Sequence, residues 1–498
     1  MGRALRRFVH CHSADASGLP VARPQADRGP HPRCRQVSRP NLLVVLADQF
    51  RASALGCLGQ DPTHTPALDR LAAEARVLTN AVSTHPVCSP ARAMMMTGLY
   101  PSLNGVPLNV NSSRVEEGVG LRTDVRCWSD VLADEGYRLG YIGKWHLTPP
   151  TADDELYGEG RRDDGKVWDA WTPPQERHGF DFWHSHGCCD QHLEPHYWTT
   201  DAPRESPLQV RQWSAEHETD VAIDYLKAAD VNDRPFALML SLNPPHQPFD
   251  ELPEGYLPRY ADRTPEELLR RPNVDLTSET GREAAQIAAK YFAAVTAIDD
   301  QIGRLLHELD ELGLADDTIV VFTSDHGMQL GSHDLMYKGV PFEESIRVPF
   351  LVRWPGHVAP GSDDLLLSLV DVSPTLLGLL GVVDQIPDEV QGTDCSAALL
   401  GEPDAPRPAA ALYHGPPYAP GDPDVRGLRT HTHKVVVGFR QGQALDVRLF
   451  DLRSDPYEMS DVSADQSESR TQLLTALADA LEAIEDPWPG LELLRNAG

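Results

Sequence analysis

Several stretches of this chain are apolar at almost every position, and most of them are followed by polar residues that can do chemistry. The first, residues 41–47, reads Asn-Leu-Leu-Val-Val-Leu-Ala and is closed by Asp48 and Gln49. A strand with one face in water alternates apolar and polar residues, whereas an unbroken apolar run suits a strand that helices cover on both faces. The sequence therefore predicts a buried, mostly parallel sheet.

The same pattern recurs along the chain, with helical segments between the runs. Further strands are predicted at 138–143, 235–242, 318–322 and 348–354, and helices at 128–135, at 291–312 and from Pro66 onwards. Alternation of strands and helices is typical of the α/β class, here a large mixed, mostly parallel sheet flanked by helices. Sites in such sheets lie beyond the carboxyl ends of strands, where Asp48, Lys144, His246 and Asp325 fall.

Composition divides the chain into three regions. Residues 1–38 are rich in Arg, Pro and His, with little apolar content, which predicts a disordered N-terminal segment. No apolar stretch follows its basic residues as in a signal peptide, so a cytoplasmic location is expected; a start codon placed too far upstream would explain the segment equally well. Residues 39–414 are expected to form the main domain. Residues 415–498 are expected to form a small C-terminal α+β domain, with antiparallel strands within 427–439 and 448–452 and a helix at 472–484.

The formal net charge of −30 limits the classes of ligand that the chain is expected to bind. It argues against nucleic acid, because no overall positive field would attract phosphates. No apolar stretch reaches the roughly 18 to 20 residues that a membrane-spanning helix needs, so no membrane contact is expected. Of the eight cysteines, all but Cys88 are interpreted as buried or idle thiols. An anionic substrate would require the site to concentrate its own positive charge.

The segment Cys88-Ser-Pro-Ala-Arg92, followed by Met96-Thr-Gly98, is the most specific motif. Together with Gly143-Lys-Trp-His146 it resembles the signatures of the formylglycine-dependent sulfatase family, within the alkaline-phosphatase-like superfamily. The resemblance covers about residues 39–465 and implies an arylsulfatase-like sulfuric ester hydrolase whose catalytic domain is the main domain. It also implies that a formylglycine-generating maturation enzyme oxidises Cys88 to an aldehyde, and that the substrate is a small sulfated molecule.

The resemblance assigns roles to a set of residues. The implied catalytic residues are Cys88, Arg92, Lys144, His146, His246 and Lys338. A hydroxyl of the hydrated residue-88 aldehyde would attack sulfur. Lys144, Lys338 and Arg92 would offset the negative charge on the sulfate oxygens. His246 would protonate the departing oxygen, and His146 would take a proton from the hydrate.

The implied ligands of one divalent metal ion are Asp48, Gln49, Asp325 and His326, together with residue 88. Oxygen ligands favour a hard cation, and calcium is expected first. Many family members carry Asp-Asp and Asp-Asn here. Gln49 and His326 depart from that pattern and lower the total negative charge of the metal ligands. Manganese and magnesium therefore remain alternatives to calcium. Phosphonate monoester hydrolases show a similar variation, so hydrolysis of a phosphonate monoester or phosphate diester by the same residues is the alternative function.

Overall fold

The computed structural model describes residues 39–230, 234–419 and 421–497. The disorder predicted for residues 1–38 lies outside the described residues. In the part of the chain that is described, no helix combines the length and the apolar content that crossing a membrane requires.

A ten-stranded mixed sheet forms the centre of the described chain. In chain order its strands are β1 (Asn41–Ala47), β2 (Arg76–Leu78), β3 (Arg138–Lys144), β4 (Phe182–His186), β5 (His196–Thr199), β6 (Leu208–Gln209), β7 (Phe236–Leu242), β8 (Thr318–Thr323), β9 (Phe350–Arg353) and β10 (Gly361–Asp363). Across the sheet they lie in the order β10-β2-β9-β8-β1-β7-β3-β4-β5-β6. The central strands from β8 to β4 run parallel, and antiparallel pairs lie on both sides of them. The predicted sheet is confirmed.

Helices lie between these strands and after the sheet. They are α1 (Pro66–Glu74), α2 (Cys88–Thr97), α3 (Pro101–Asn104), α4 (Trp128–Asp134), α5 (Asp154–Tyr157), α6 (Ser214–Asp230), α7 (Pro258–Ala261), α8 (Pro265–Leu268), α9 (Glu279–Glu311), α10 (Glu343–Ile346), α11 (Val372–Leu379), α12 (Ser396–Leu399), α13 (Ser467–Ala483) and α14 (Leu491–Ala497). Helix α9 begins well before the predicted start at residue 291. Its N-cap is Ser278, whose side chain accepts a hydrogen bond from the Gly281 N–H.

Strand β1 shows why the sequence is apolar at every position from Leu42 to Ala47. Leu42, Val44 and Leu46 pack into one hydrophobic core, which α2, α4 and α11 complete. Leu43 and Val45 point the other way, into a core formed with α1, α6 and α9. Because successive side chains of a strand face opposite sides of the sheet, both faces of β1 are covered.

The region 151–215, where the sequence shows few periodic signals, also contributes to the sheet. It contains α5 and the strands β4, β5 and β6, which extend the sheet beyond β3. These strands are short, and β6 has only two residues. Elements of this length carry too few positions for a periodic pattern, so the sequence did not indicate them.

A second, four-stranded antiparallel sheet lies in the C-terminal region. Its strands are β11 (Ala410–Gly415), β12 (Asp424–Thr430), β13 (His433–Phe439) and β14 (Asp446–Asp451). The segment 427–439 contains a hairpin, because β12 and β13 meet at the turn formed by residues 431 and 432. Helix α13 packs on this sheet through Leu474, Leu477 and Leu481. The small antiparallel sheet with its helix is the predicted C-terminal architecture.

A buried ion-pair cluster links Lys434 of β13 to Glu343 of α10 and to Glu458, which follows β14. Lys434 is fully buried, and its Nζ lies 2.9 Å from Glu343 and 2.6 Å from Glu458. Burial raises the pKa of Glu458 to about 7, so that carboxyl depends on its cationic partner to remain ionised at neutral pH. Removing one partner of a buried pair is costly because the other charge is left uncompensated.

Lys434→Met is therefore expected to lower the free energy of unfolding by about 3 kcal/mol. The measurement is the denaturation midpoint in urea. Lys227→Met is the matched control, because it breaks an exposed pair with Glu308 at 3.5 Å and is expected to cost less than about 1 kcal/mol. Equal shifts for the two variants would contradict a structural role for the buried pair.

Candidate active site

The candidate site residues lie at the carboxyl ends of the central parallel strands. Asp48 follows β1, Lys144 ends β3, and Asp325 follows β8 by two positions. Because these strands are parallel and neighbouring, their ends meet at one edge of the sheet. The backbone N–H of Gln49 donates to Asp325 Oδ1 at 3.1 Å, across 276 residues of sequence. The structure thus brings together residues that the sequence places far apart.

Helix α2 places Cys88 at this edge. The helix begins at Cys88 and ends at Thr97, where Gly98 adopts the left-handed conformation with φ 71°. The Ser89 N–H donates to Asn109 Oδ1 at 2.9 Å, which fixes the first turn. Cys88 is only 2% exposed. The peptide dipoles at a helix N-terminus favour a negative group at this position.

Four potential ligand atoms converge around Cys88. They belong to Asp48, Cys88, Asp325 and His326, lie within 4.8 Å of one another, and are all buried. The Sγ atom of Cys88 lies 3.2 Å from His326 Nε2 and 3.7 Å from Asp48 Oδ1. This Sγ marks the place that the oxygens of a formylglycine hydrate would take. Two carboxylates and an imidazole nitrogen fit a divalent cation.

The electrostatics of the carboxylate pair support the same fit. Burial opposes ionisation of Asp48, but Lys144, His246 and Arg92 hold its pKa well below its usual range. Burial and the neighbouring Asp48 carboxylate raise the pKa of Asp325. Two carboxylates thus share one buried space, and a divalent cation there would compensate the second charge.

Gln49 lies beside this cluster. Its backbone is left-handed, with φ 65°, and so is that of His146, with φ 55°. Such conformations cost roughly 1 to 3 kcal/mol in non-glycine residues and concentrate at functional sites. Gln49 Oε1 accepts a hydrogen bond from Lys338 Nζ at 2.8 Å, and its Nε2 donates to Gln247 Oε1 at 3.1 Å. The structure links Gln49 to Lys338, and its role as a metal ligand stays a prediction.

Arg92 holds the carboxylates in place. Its Nε donates to Asp325 Oδ2 at 3.0 Å, and its Nη2 donates to Asp48 Oδ2 at 3.1 Å. Its Nη1 donates to the Lys144 carbonyl at 2.8 Å and to Ser241 Oγ at 2.7 Å. Because most of its N–H groups serve protein acceptors, the geometry favours Arg92 as a residue that orients the carboxylates over one that faces a substrate.

Lys144 brings a positive charge next to Cys88. Its side chain is fully buried, and Nζ lies 3.9 Å from Cys88 Sγ. The ammonium donates to Asp48 Oδ2 at 2.7 Å and to Asn243 Oδ1 at 3.0 Å. Burial opposes its charge, but the Asp48 carboxylate holds the pKa of Lys144 well above its usual value. Lys144 is therefore a permanent cation in the site.

His146 is arranged as a proton acceptor. Its Nε2 lies 3.0 Å from the carbonyl oxygen of Val110, which can only accept, so Nε2 carries the proton. Its Nδ1 is buried and has no hydrogen-bond partner among the described residues. Burial lowers the pKa of His146, which keeps the ring neutral. The free lone pair of Nδ1 can accept a proton.

His246 is arranged as a proton donor. Its Nδ1 donates to the Gln247 carbonyl at 2.8 Å and lies 3.5 Å from Asp190 Oδ1. Burial and Lys338 oppose its protonation, but the Asp190 and Asp48 carboxylates outweigh them and raise the pKa of His246 to about 9. With Nδ1 engaged, Nε2 is the ring atom left to donate a proton.

Two residues that contact this machinery were missed by the sequence analysis. Asn243 Nδ2 donates to Asp190 Oδ1 at 3.0 Å, so the pair connects Lys144 with His246. Asn243 directly follows β7, and its position at the end of a predicted strand could have identified it as a site residue. Asp190 lies between β4 and β5, in a region without periodicity, and no sequence signal identified it.

The sequence and the fold of this chain were compared with those of known proteins, and both match sulfatases. Residues 40–382 match the family model described as sulfatase, and residues 331–486 match that of the N-sulphoglucosamine sulphohydrolase C-terminal region. The chain is 39% identical to an endo-4-O-sulfatase of Bacteroides thetaiotaomicron, over 95% of this chain and 97% of that protein. It is 35% identical to an ulvan-active sulfatase of Formosa agariphila, over 85% and 77%. A solved structure from work on glycosaminoglycan metabolism by Bacteroides thetaiotaomicron matches with a TM-score of 0.86 and 37% identity, over 92% and 99%.

The mixed sheet with its parallel centre, the buried cluster around Cys88 and the family matches together identify a hydrolase of the alkaline-phosphatase-like superfamily. The chain belongs to the sulfatase family, the formylglycine-dependent sulfuric ester hydrolases of that superfamily. A phosphonate monoester hydrolase of Agrobacterium radiobacter matches with a TM-score of 0.64 at 22% identity, over 90% of this chain and 96% of that one. At that identity the likeness concerns the fold alone.

Proposed function

We propose that this chain hydrolyses the sulfate ester of a carbohydrate, using a formylglycine made from Cys88 and one divalent metal ion. The observation that carries the proposal is the buried convergence of Cys88, Asp48, Asp325 and His326 within 4.8 Å. The carbohydrate class is inferred from the relatives named above, an endo-4-O-sulfatase and an ulvan-active sulfatase. Calcium is the proposed metal, with manganese and magnesium as alternatives because His326 contributes a nitrogen.

Asp48, Asp325 and His326 would hold the metal, with Gln49 beside them. When bound, the metal would polarise a sulfate oxygen and favour the deprotonated form of a hydroxyl. The formylglycine hydrate would supply the nucleophilic hydroxyl, and its second hydroxyl a route for expelling sulfate. A maturation enzyme is therefore a required partner in this proposal.

The residues of the chain supply charge and proton transfer. Lys144 and Lys338 would stabilise the negative oxygens of the bound sulfate, and the low-dielectric surroundings of Lys144 strengthen its effect. His246 would donate its Nε2 proton to the departing oxygen, and His146 would accept a proton at Nδ1. Arg92 would keep the two carboxylates oriented.

His246→Ala is expected to lower kcat/KM for a sugar sulfate by about 10² to 10⁴. The loss on 4-nitrophenyl sulfate is expected to be less than about tenfold, because nitrophenolate leaves without a proton and a general acid matters most for a poor leaving group. Steady-state kinetics on both substrates measures the difference between the two losses.

Lys144→Ala is the matched comparison for that test. It is expected to slow both substrates by similar factors, because the same charge develops on the sulfate oxygens in each reaction. If His246→Ala also caused equal losses on both substrates, the acid assignment would be rejected and His246 would be a binding group only.

Hydrolysis of a phosphonate monoester or phosphate diester is the second candidate function. The imidazole of His326 in the ligand cluster favours it, because a nitrogen ligand widens the range of metals that the site can hold. The ratio of kcat/KM for 4-nitrophenyl sulfate to that for 4-nitrophenyl phenylphosphonate decides between the two. We expect the sulfate to be preferred, and a preference for the phosphonate would reverse the assignment.

A further inference from the structure

An open groove of about 530 Å³ lies in the region 151–215. Its lining includes Arg162, Asp163, Asp164, Trp168 and Gln191, which combine one large aromatic ring with many hydrogen-bonding groups. The groove is a shallow, open surface feature, unlike an enclosed pocket.

The groove lies next to His146 and is linked through two further residues to His246, the two histidines to which we assign proton transfer. The centroid of the Trp168 ring lies 6.0 Å from that of the His146 ring. On the other side, Arg162 Nη1 lies 2.5 Å from Asp190 Oδ2, and Asp190 Oδ1 lies 3.5 Å from His246 Nδ1. Because His246 would protonate the departing oxygen, a leaving group that extends beyond His246 towards Asp190 and Arg162 would approach the groove.

We propose that this groove binds further sugar units of the leaving group, so that the substrate is a sulfated oligosaccharide with one pyranose ring packed on Trp168. The inference rests on the proposed function. The Trp168 Nε1–H donates to Asp164 Oδ2 at 3.0 Å, which fixes the orientation of the ring. Two cations lie over the ring: Lys166 Nζ is 5.4 Å and Arg162 Cζ is 5.7 Å from its centroid. Lys166 is 38% exposed and is paired with Asp164 at 3.5 Å, so a sugar that packs on Trp168 would displace this exposed side chain. An aromatic face suits the apolar face of a sugar.

The charges of the groove favour hydroxyl groups over a second sulfate. Arg162 is paired with Glu159 at 2.6 Å and with Asp190 at 2.5 Å. Arg161 is paired with Glu155 at 2.6 Å. Both guanidinium groups that line the groove are thus engaged with carboxylates, and no strong anion site is left over. The groove is built for the hydroxyls and ring faces of a saccharide.

The test compares chain lengths in the matured, full-length enzyme. The measured quantity is the ratio of kcat/KM for a sulfated trisaccharide to that for the monosaccharide with the same sulfate. The wild type is expected to favour the trisaccharide by about tenfold or more. Trp168→Ala is expected to reduce that ratio to about two, mainly by raising KM for the trisaccharide. A slower reaction through a disturbed His146 would lower both rates and leave the ratio unchanged.

Two further variants make the result specific. Gln191→Ala alters the groove away from His146 and is expected to reduce the length ratio in part. Trp171→Ala is the matched control, because Trp171 lies in the same region but donates to the Ala202 carbonyl and does not line the groove. It should keep the wild-type ratio. A wild type without a length preference, or groove variants that retain it, overturns the inference. A wild type that cleaves no sulfate ester at all would reject the proposed function instead.

Discussion

Cys88→Ala is expected to lower kcat by roughly 10⁴ or more, as removal of other covalent nucleophiles does. The Sγ atom of Cys88 lies inside the ligand cluster, 3.2 Å from His326 Nε2, and alanine leaves no atom that maturation could convert into a nucleophile. The fold should survive, because Cys88 starts α2 and belongs to neither large hydrophobic core. Kinetics together with the denaturation midpoint measures both effects.

Peptide mass spectrometry of the same preparations tests the chemistry at this position. Active wild-type protein is expected to carry the aldehyde in place of the thiol at residue 88. Cys57 provides the internal control, because it is a free and exposed cysteine that should keep its thiol. Cys57→Ala should retain full activity. Active protein with only an unmodified thiol at residue 88 would overturn the proposed mechanism.

Removal of divalent metal is the second change with a large expected effect. Chelation is expected to lower kcat by about 10³ or more, because the metal stabilises charge on the reacting group. It should also lower the melting temperature, since Asp48 and Asp325 would then share a buried space without a compensating cation. Adding calcium or manganese at about 100 times its Kd should restore roughly 2.7 kcal/mol of stability together with activity.

Elemental analysis of two variants locates the metal. Asp325→Asn is expected to lose most of the bound metal. Glu344→Gln is the matched control: Glu344 belongs to another buried cluster with potential ligand atoms, but it is already paired with Arg271 at 2.7 Å. It should retain the metal content of the wild type. Unchanged metal content in Asp325→Asn would refute the proposed site.

The central strands and the edge where polar residues converge could be predicted because they follow from one physical constraint. A strand buried on both faces is apolar at nearly every position, and β1 is apolar from Leu42 to Ala47. Charged side chains are then expected where such a strand ends, which is where Asp48 and Asp325 lie. Parallel packing brings those ends to one edge without any knowledge of the loops.

Other features depend on contacts that no local pattern encodes. The motif predicted that Arg92 lies near residue 88, but it could not show that the guanidinium group would hold Asp48 and Asp325. Asp190 lies between two short strands, and its contact with His246 arises only when β7 comes to lie two strands away from β4. Short edge strands are stabilised mainly by tertiary pairing, so they leave little trace in the sequence.

The order of the strands also determines how late in synthesis of the chain the central sheet can form. Strand β1 pairs Leu42 with Ala237 and with Ile319, so its pairing waits for much later parts of the polypeptide. His326 follows Cys88 by 238 residues, which takes roughly ten to fifty seconds at about 5 to 20 residues per second. During that interval a modifying enzyme can reach the thiol of Cys88 on the nascent chain. Once the sheet closes, the thiol is buried, so under the proposed mechanism a chain that folds before Cys88 is oxidised would be inactive.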